Sequence, residues 1–401
     1  MDWEVAEDTV AARPVTDADA RTLAGKPPAS GAWREGDPAG ARRFASVGTL
    51  ETESGARLAN ARIAYETWGE PSPSRDNAVL VLHALTGDAH VVGPAGPGQP
   101  TAGWWTGIVG PGAPIDTDRW FVVAPNVLGG CGGSSGPASL APDLAEWGGR
   151  FPYVTIRDQV AAQAALADAL GVGRWAAVVG GSMGGMHALE WAVGDPDRVA
   201  RLAVLAAPAA SSADQVALNS VQTEAVRADP RFRGGDYYGA ADGDGPHRGL
   251  ALARRMALLH YRSAEELNAR FARTWQSGVS PLGHHGRFAV ESYLDFHGNR
   301  FTRRFDANSY IRLVDAMSSH DVGRGRGGVE SALSRFSGPA LVLGIDSDRL
   351  YPLADQAVLA RHLSGALDGA APAVLASDSG HDGFLIERAA VGDHLRRLLA
   401  S

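Results

Sequence analysis

The segment that most restricts the fold is Gly180-Gly181-Ser182-Met183-Gly184-Gly185, which stands between the apolar run WAAVVGG (175–181) and the helix-like stretch MGGMHALEWAVG (183–194). It matches G-x-S-x-G. A serine presented on a sharp strand-to-helix turn needs small neighbours, because strand and helix must pack closely around it. The helix N-terminus and the backbone N–H after the serine then favour a developing negative charge. A glycine-rich turn with a structural serine would carry the same letters. The strand–turn–helix setting favours the nucleophile.

The rest of the chain supplies a sheet to hold that turn. FASVGTL (44–50) and RLANARIAYETWG (57–69) alternate apolar with polar around a Gly-containing turn, as in a hairpin. AVLVLHAL (78–85) and WFVVAP (120–125) are continuous apolar runs of the kind buried on both faces of a sheet. TIRDQVAAQAALADAL (155–170) reads as a helix with Asp158 in its first turn and Gly171 closing it. RVARLAVLAA (198–207) is a further strand. Strands alternating with helices imply α/β architecture with a mostly parallel central sheet. The alternation stops near Pro208 and resumes at PALVLGID (339–346), LADQAVLARHL (353–363) and PAVLAS (372–377). Between them the chain is polar and helix-rich, clearest at 249–261 and 263–277. The expected division is a loosely ordered tail over 1–43, a first core part over 44–208, a helical cap over 209–325, and a second core part over 326–401.

Composition narrows the function. With 37 Lys plus Arg against 45 Asp plus Glu, the formal charge is −8, and no dense basic cluster exists to grip a phosphate backbone. No stretch of about 18 uninterrupted apolar residues suits a membrane span. The acidic N-terminus lacks the order of a secretory signal, so a cytoplasmic protein is expected. The single cysteine, Cys131, excludes an intrachain disulfide and a multi-thiolate zinc site. No Walker loop, H-E-x-x-H, EF-hand loop or G-x-G-x-x-G after the first strand is present. No metal site and no permanently bound cofactor are therefore expected.

A serine hydroxyl needs a base, and the base needs orienting. On a nucleophile-elbow fold the partners follow in the order Ser, acid, His. Of twelve histidines, His381 lies in SDSGHDGF, a loop after the last strand. His187 is on the elbow helix, His284 and His285 are in the insertion, and His362 and His394 are in late helices. GIDSDRLYP offers two acids, Asp346 and Asp348, which the residues alone do not separate. HALTGD (83–88) follows an early strand, so the backbone N–H groups of Leu85 and Met183 form the natural oxyanion pair. Cys131, in a glycine-rich loop with no paired base, reads as a packed thiol.

Together, HALTGDAHV (83–91), NVLGGC (126–131), FPYVTIRDQV (151–160), GGSMGGMHALEWA (180–192), HDVGRGRGG (320–328), SDRLYP (347–352) and SGHDGFL (379–385) resemble the homoserine O-acetyltransferase family. The likeness runs from about Phe44 to the C-terminus. It implies an α/β-hydrolase fold with an inserted helical cap and a catalytic triad of Ser182, Asp348 and His381. It also implies that Arg254 and Asp382 hold L-homoserine, with Tyr261 beside it. Arg254 and Tyr261 are two helical turns apart, so both can face one cavity. A guanidinium suits a carboxylate, and a carboxylate suits an ammonium.

The implied reaction is acetyl transfer from acetyl-CoA, a co-substrate, to the hydroxyl of L-homoserine through an acetyl-serine, with ping-pong kinetics. It belongs to methionine biosynthesis, and family members are often homodimers through the cap. Leu350 stands where succinyl-transferring relatives resemble one carrying arginine, which favours the acetyl donor. The chain departs from the family at Ser134, Ser135, Ala138 and His260. A transferase using L-serine or succinyl-CoA, a serine esterase in which water deacylates the enzyme, and a non-catalytic binding protein are the competing readings.

Overall fold

The computed structural model describes residues 23–283 and 285–401. Residues 1–22 of the expected tail and His284 lie outside the described residues. Strands β1 (Arg43–Glu51) and β2 (Arg57–Trp68) form an antiparallel hairpin, with Phe44 opposite Ala64 and Leu50 opposite Leu58. They are followed by β3 (Ala78–Leu82), the two-residue pair β4 (Val109–Gly110) and β5 (Ile115–Asp116), and β6 (Phe121–Pro125). The later strands are β7 (Ala177–Gly181), β8 (Leu202–Leu205), β9 (Ala340–Ile345) and β10 (Ala373–Leu375). Eight of these make one sheet in the order β1-β2-β6-β3-β7-β8-β9-β10. From β6 to β10 every neighbouring pair is parallel.

The apolar runs are continuous because both faces of this sheet are covered. Successive side chains of a strand point to opposite faces. Accordingly Leu80, Leu82, Leu202 and Val342 join one apolar cluster, with Leu166 of α1 (Ile156–Ala169) and Trp191 of α2 (Met183–Gly194). Their neighbours Val79, Val81, Leu341 and Leu343 join another cluster, with Leu395 and Leu398 near the C-terminus. α1 begins at a capping box: Thr155 Oγ1 accepts from the Asp158 N–H at 3.2 Å, and the Asp158 carboxylate accepts from the Thr155 N–H at 2.9 Å.

Between β8 and β9 the chain forms α3 (Ala213–Arg227), α4 (His247–Tyr261), α5 (Ala264–Phe271), α6 (Ala289–Phe301), α7 (Ala307–Ser318) and the short α8 (Val329–Leu333). The excursion leaves and returns through adjacent backbone: Val322 N–H donates to Ala209 O at 3.0 Å and Ser211 N–H to His320 O at 2.9 Å. α5 is shorter than the 263–277 helix read from the sequence, because Ala272 turns the chain at φ 42°. After β9 come α9 (Leu353–His362), α10 (Gly383–Ile386) and α11 (Arg388–Ala400). A third apolar cluster joins Met183, Met186 and Leu85 to Ala253, Phe301 and Tyr310 of the helical layer. None of the described helices is long and apolar enough to cross a membrane.

The expectation of a loose tail up to residue 43 is corrected for its described part. Ala29 and Ala32 are buried. Gly31 N–H donates to Phe305 O and Trp33 N–H to Cys131 O, while Ser30 Oγ donates to Asp306. A segment without apolar period reads as loose, yet its small residues let it lie flat. A Cβ on Gly31 would come within 2.6 Å of the Arg304 nitrogen.

Candidate active site

Ser182 follows β7 and opens α2 with φ 58° and ψ −125°, a conformation that costs a non-glycine residue energy and is held by its surroundings. The flanking glycines explain how the turn closes. A Cβ on Gly180 would run into the Gly184 carbonyl, and one on Gly184 into the Leu82 carbonyl. Strand and helix therefore meet backbone to backbone, which leaves Ser182 Oγ projecting from the bend.

His381 sits in the loop after β10. Its Nε2 lies 2.9 Å from Ser182 Oγ, and its Nδ1 lies 2.7 Å from Asp348 Oδ2. The arrangement fits Nδ1–H donating to the carboxylate and the serine hydroxyl donating to Nε2. Asp348 Oδ1 accepts from the N–H groups of Leu350 and Tyr351, at 2.8 and 3.0 Å. The geometry separates the two acids that the residues alone left open and agrees with the resemblance: Asp348 bonds His381, while Asp346 accepts from the Ser377 N–H. Burial disfavours the His381 imidazolium, but the charge and hydrogen bond of Asp348 and the charge of Asp382 outweigh it, raising the histidine above its ordinary 6.5. Tyr261, Tyr351 and Phe384 enclose the ring, with centroids 5.2–5.7 Å away.

The loop 83–88 passes beside the serine. His83 is buried with Nδ1–H donating to Ala84 O at 2.8 Å and Nε2 accepting from the Val127 N–H at 3.1 Å. Burial holds this imidazole neutral by lowering its pKa. Among the described residues, the N–H groups of Leu85 and Met183 have no protein acceptor.

A cavity of about 210 Å³ is lined by Ser182, His381, Leu85, Arg254, Tyr261 and Asp382, among others. The two helical residues thus share one wall: the Arg254 guanidinium lies 5.4 Å from the Tyr261 ring centre. Burial pushes the Tyr261 hydroxyl up to about 12. Asp382 is partly engaged, since Arg262 Nη2 stands 3.3 Å from its Oδ2. Leu350 is not brought to this cavity. It belongs to the apolar cluster that includes Met183, Met186 and Tyr351, and its N–H serves Asp348. The departures at Ser134 and Ser135 are structural, for both hydroxyls accept from β2 amides, of Ala64 and Arg62. Burial raises the Cys131 thiol to about 12, which suits a packed sulfur rather than a nucleophile.

A family model for the α/β-hydrolase fold matches residues 77–387. A homoserine O-acetyltransferase of Clavibacter michiganensis subsp. michiganensis is 71% identical over 385 residues, covering 96% of this chain and 99% of the relative. The chain belongs to the homoserine O-acetyltransferase family. Its fold is the α/β-hydrolase fold. The solved homoserine O-acetyltransferase of Bacillus anthracis superposes with a TM-score of 0.80 at 25% identity, covering 90% of this chain and 97% of that one. An acetylester hydrolase of Corynebacterium glutamicum superposes with a TM-score of 0.77 at 27% identity, covering 90% and 97%.

Reading the sequence of this family member missed three residues at the site. Arg262, Arg304 and Trp104 belong to no chemical motif. Arg262 pairs with Asp382, while Arg304 and Trp104 line the cavity. Only the fold gathers them, so no local pattern could have marked them.

Proposed function

We propose that this protein transfers the acetyl group of acetyl-CoA to the side-chain hydroxyl of L-homoserine, giving O-acetyl-L-homoserine and CoA in methionine biosynthesis. The observation that carries the reading is the placement of Arg254 and Asp382 in one cavity with the hydrogen-bonded Ser182–His381–Asp348 chain. That cavity offers a cation for a carboxylate and an anion for an ammonium beside a nucleophile.

In the first half-reaction His381 Nε2 takes the hydroxyl proton as Ser182 Oγ attacks the thioester carbonyl. The N–H groups of Leu85 and Met183 receive the oxyanion. Collapse expels the CoA sulfur, which leaves with the proton from His381, and the serine is acetylated. L-Homoserine then enters with its carboxylate towards Arg254, its ammonium towards Asp382 and Tyr261 alongside. His381 takes its hydroxyl proton, the alcohol oxygen attacks, and collapse returns that proton to Ser182 Oγ. Asp348 holds the imidazole in the needed tautomer and stabilises its cation throughout. No bound cofactor enters this scheme.

The helical layer is the part able to restrict water at the acetyl-enzyme, where water must lose the competition with homoserine. Leu252, Leu259, Trp275, Val279 and Leu282 of this layer are exposed apolar residues and support a homodimer formed through it. The test of function is CoA release from acetyl-CoA with and without L-homoserine, with L-serine and succinyl-CoA in parallel. Release that requires homoserine and acetyl-CoA is expected. Equal release without an acceptor would make the protein a hydrolase, a reading favoured by its likeness to the acetylester hydrolase.

A further inference from the structure

Arg304 has no role in the chemistry above, yet it lines the same cavity as Ser182 and Arg254. It stands in the turn between α6 and α7, far in sequence from either. Both guanidiniums lie against the Phe301 ring, Arg254 at 5.2 Å and Arg304 at 5.4 Å from its centre. Both also reach Thr86 in the loop beside the serine. Arg254 Nη1 is 3.5 Å from the threonine hydroxyl, and Arg304 Nη1 donates to its carbonyl at 2.9 Å. Among the described residues neither arginine makes an ion pair with a carboxylate. Asp88 acts on Arg304 only through its field, and burial with the neighbouring Arg254 charge pushes that guanidinium down to about 10.

Two like charges held together and partly desolvated cost stability unless something compensates them. Stacking on Phe301 compensates in part. No further hydrogen bond of either guanidinium is made among the described residues, and both arginines line the cavity of about 210 Å³ that holds Ser182. Asp382, by contrast, already shares its charge with Arg262. The cavity is therefore richer in cationic than in anionic capacity, and the uncompensated element is a bound anion.

We propose that Arg304 is a second ligand for the carboxylate of the amino-acid acceptor, forming with Arg254 a two-guanidinium clamp around Phe301. The assignment rests on the proposed acyl transfer to L-homoserine. Through its bond to the Thr86 carbonyl, Arg304 also ties acceptor binding to the loop that carries the Leu85 N–H. Arg304 is thus a determinant of which alcohols are acetylated.

In a ping-pong reaction kcat/KM for each substrate reports its own half-reaction, so the two sides are read separately. The test compares wild type with Arg304→Gln and Arg304→Lys, using L-homoserine and 3-aminopropan-1-ol, which is homoserine without its carboxylate. In Arg304→Gln, kcat/KM for L-homoserine is expected to fall about 30-fold further than kcat/KM for acetyl-CoA, the scale of a lost charge-assisted hydrogen bond. With 3-aminopropan-1-ol that excess loss is expected to vanish. Arg304→Lys keeps the charge without the fork, and should recover part of the homoserine loss. The same two-acceptor comparison stands on the lysine variant alone should the glutamine variant not fold. Equal losses on both acceptors would overturn the proposal in favour of a structural arginine. A loss concentrated on acetyl-CoA would overturn it in favour of a ligand for the donor's phosphates. A wild-type enzyme inert towards L-homoserine would instead overturn the parent reading, and this one with it.

Discussion

The sheet-borne and helix-borne sides of the cavity are finished to different degrees. On the sheet side Asp348 has both oxygens engaged, His381 has both nitrogens engaged, and Ser182 is locked at a positive φ by glycine-lined packing. On the helical side Arg254 and Arg304 rest on aromatic rings without a carboxylate partner among the described residues. On the proposed function, the difference teaches that the bond-making groups are organised before substrate arrives, whereas the proposed recognition groups are left to be completed by it. Preorganised dipoles cost no rearrangement at the moment of reaction. Unfilled cations gain most when a matching anion arrives.

Breaking the sheet side should have the larger effects. Ser182→Ala should lower acyl transfer on the order of a million-fold, read as loss of both CoA release and a trapped acetyl-enzyme. Substantial CoA release from this variant would sink the assignment of the nucleophile. Asp348→Asn should cost roughly 10⁴-fold in kcat while leaving the fold intact, because the imidazole loses its orienting acceptor. If Asp346→Asn were the more damaging change, the triad acid would be misassigned.

On the helical side, Arg254→Gln should lower kcat/KM for L-homoserine about 100-fold through loss of charge-assisted hydrogen bonds, with a smaller change on the acetyl-CoA side. Equal damage to both half-reactions would erase the contrast drawn between the two walls. The gentlest probe is pH. His381 must be neutral to act as base, and its pKa is raised, so kcat/KM for acetyl-CoA should climb as pH rises through a midpoint above 6.5. The stability contribution has the opposite course, being present below 6.5 and lost as pH rises through the raised value. In Asp348→Asn burial remains while the favourable charge is gone, so the residual activity should titrate at a lower pH. A midpoint unmoved by that substitution would show that Asp348 does not set the titration.

Much of this was legible in the chain itself. Continuous apolar runs revealed β3, β6, β7 and β9, since burial on both faces removes the need for polar alternation. The elbow was legible because its chemistry is local: strand, glycines, serine and helix are consecutive residues. His381 was recoverable from its loop after the last strand. The choice between Asp346 and Asp348 came only from the family resemblance and not from the residues themselves, because two carboxylates two residues apart on one turn differ only in the direction they face. The segment 23–42 escaped notice for a related reason, as its burial comes from surface fit and backbone pairing rather than from periodicity.

The sequence by itself determined the α/β layering, the turn that exposes Ser182 and the family to which the chain belongs. These rest on hydrophobic period, on small residues at a sharp bend and on motifs read in order. Only the tertiary structure decided that Asp382 is shared with Arg262, that Leu350 belongs to the apolar cluster behind the elbow rather than to the cavity lining, and that Arg304 stands beside Arg254. Those facts depend on distances between residues far apart in the chain. Side-chain direction and long-range proximity leave no mark on local composition, and electrostatic recognition depends on both.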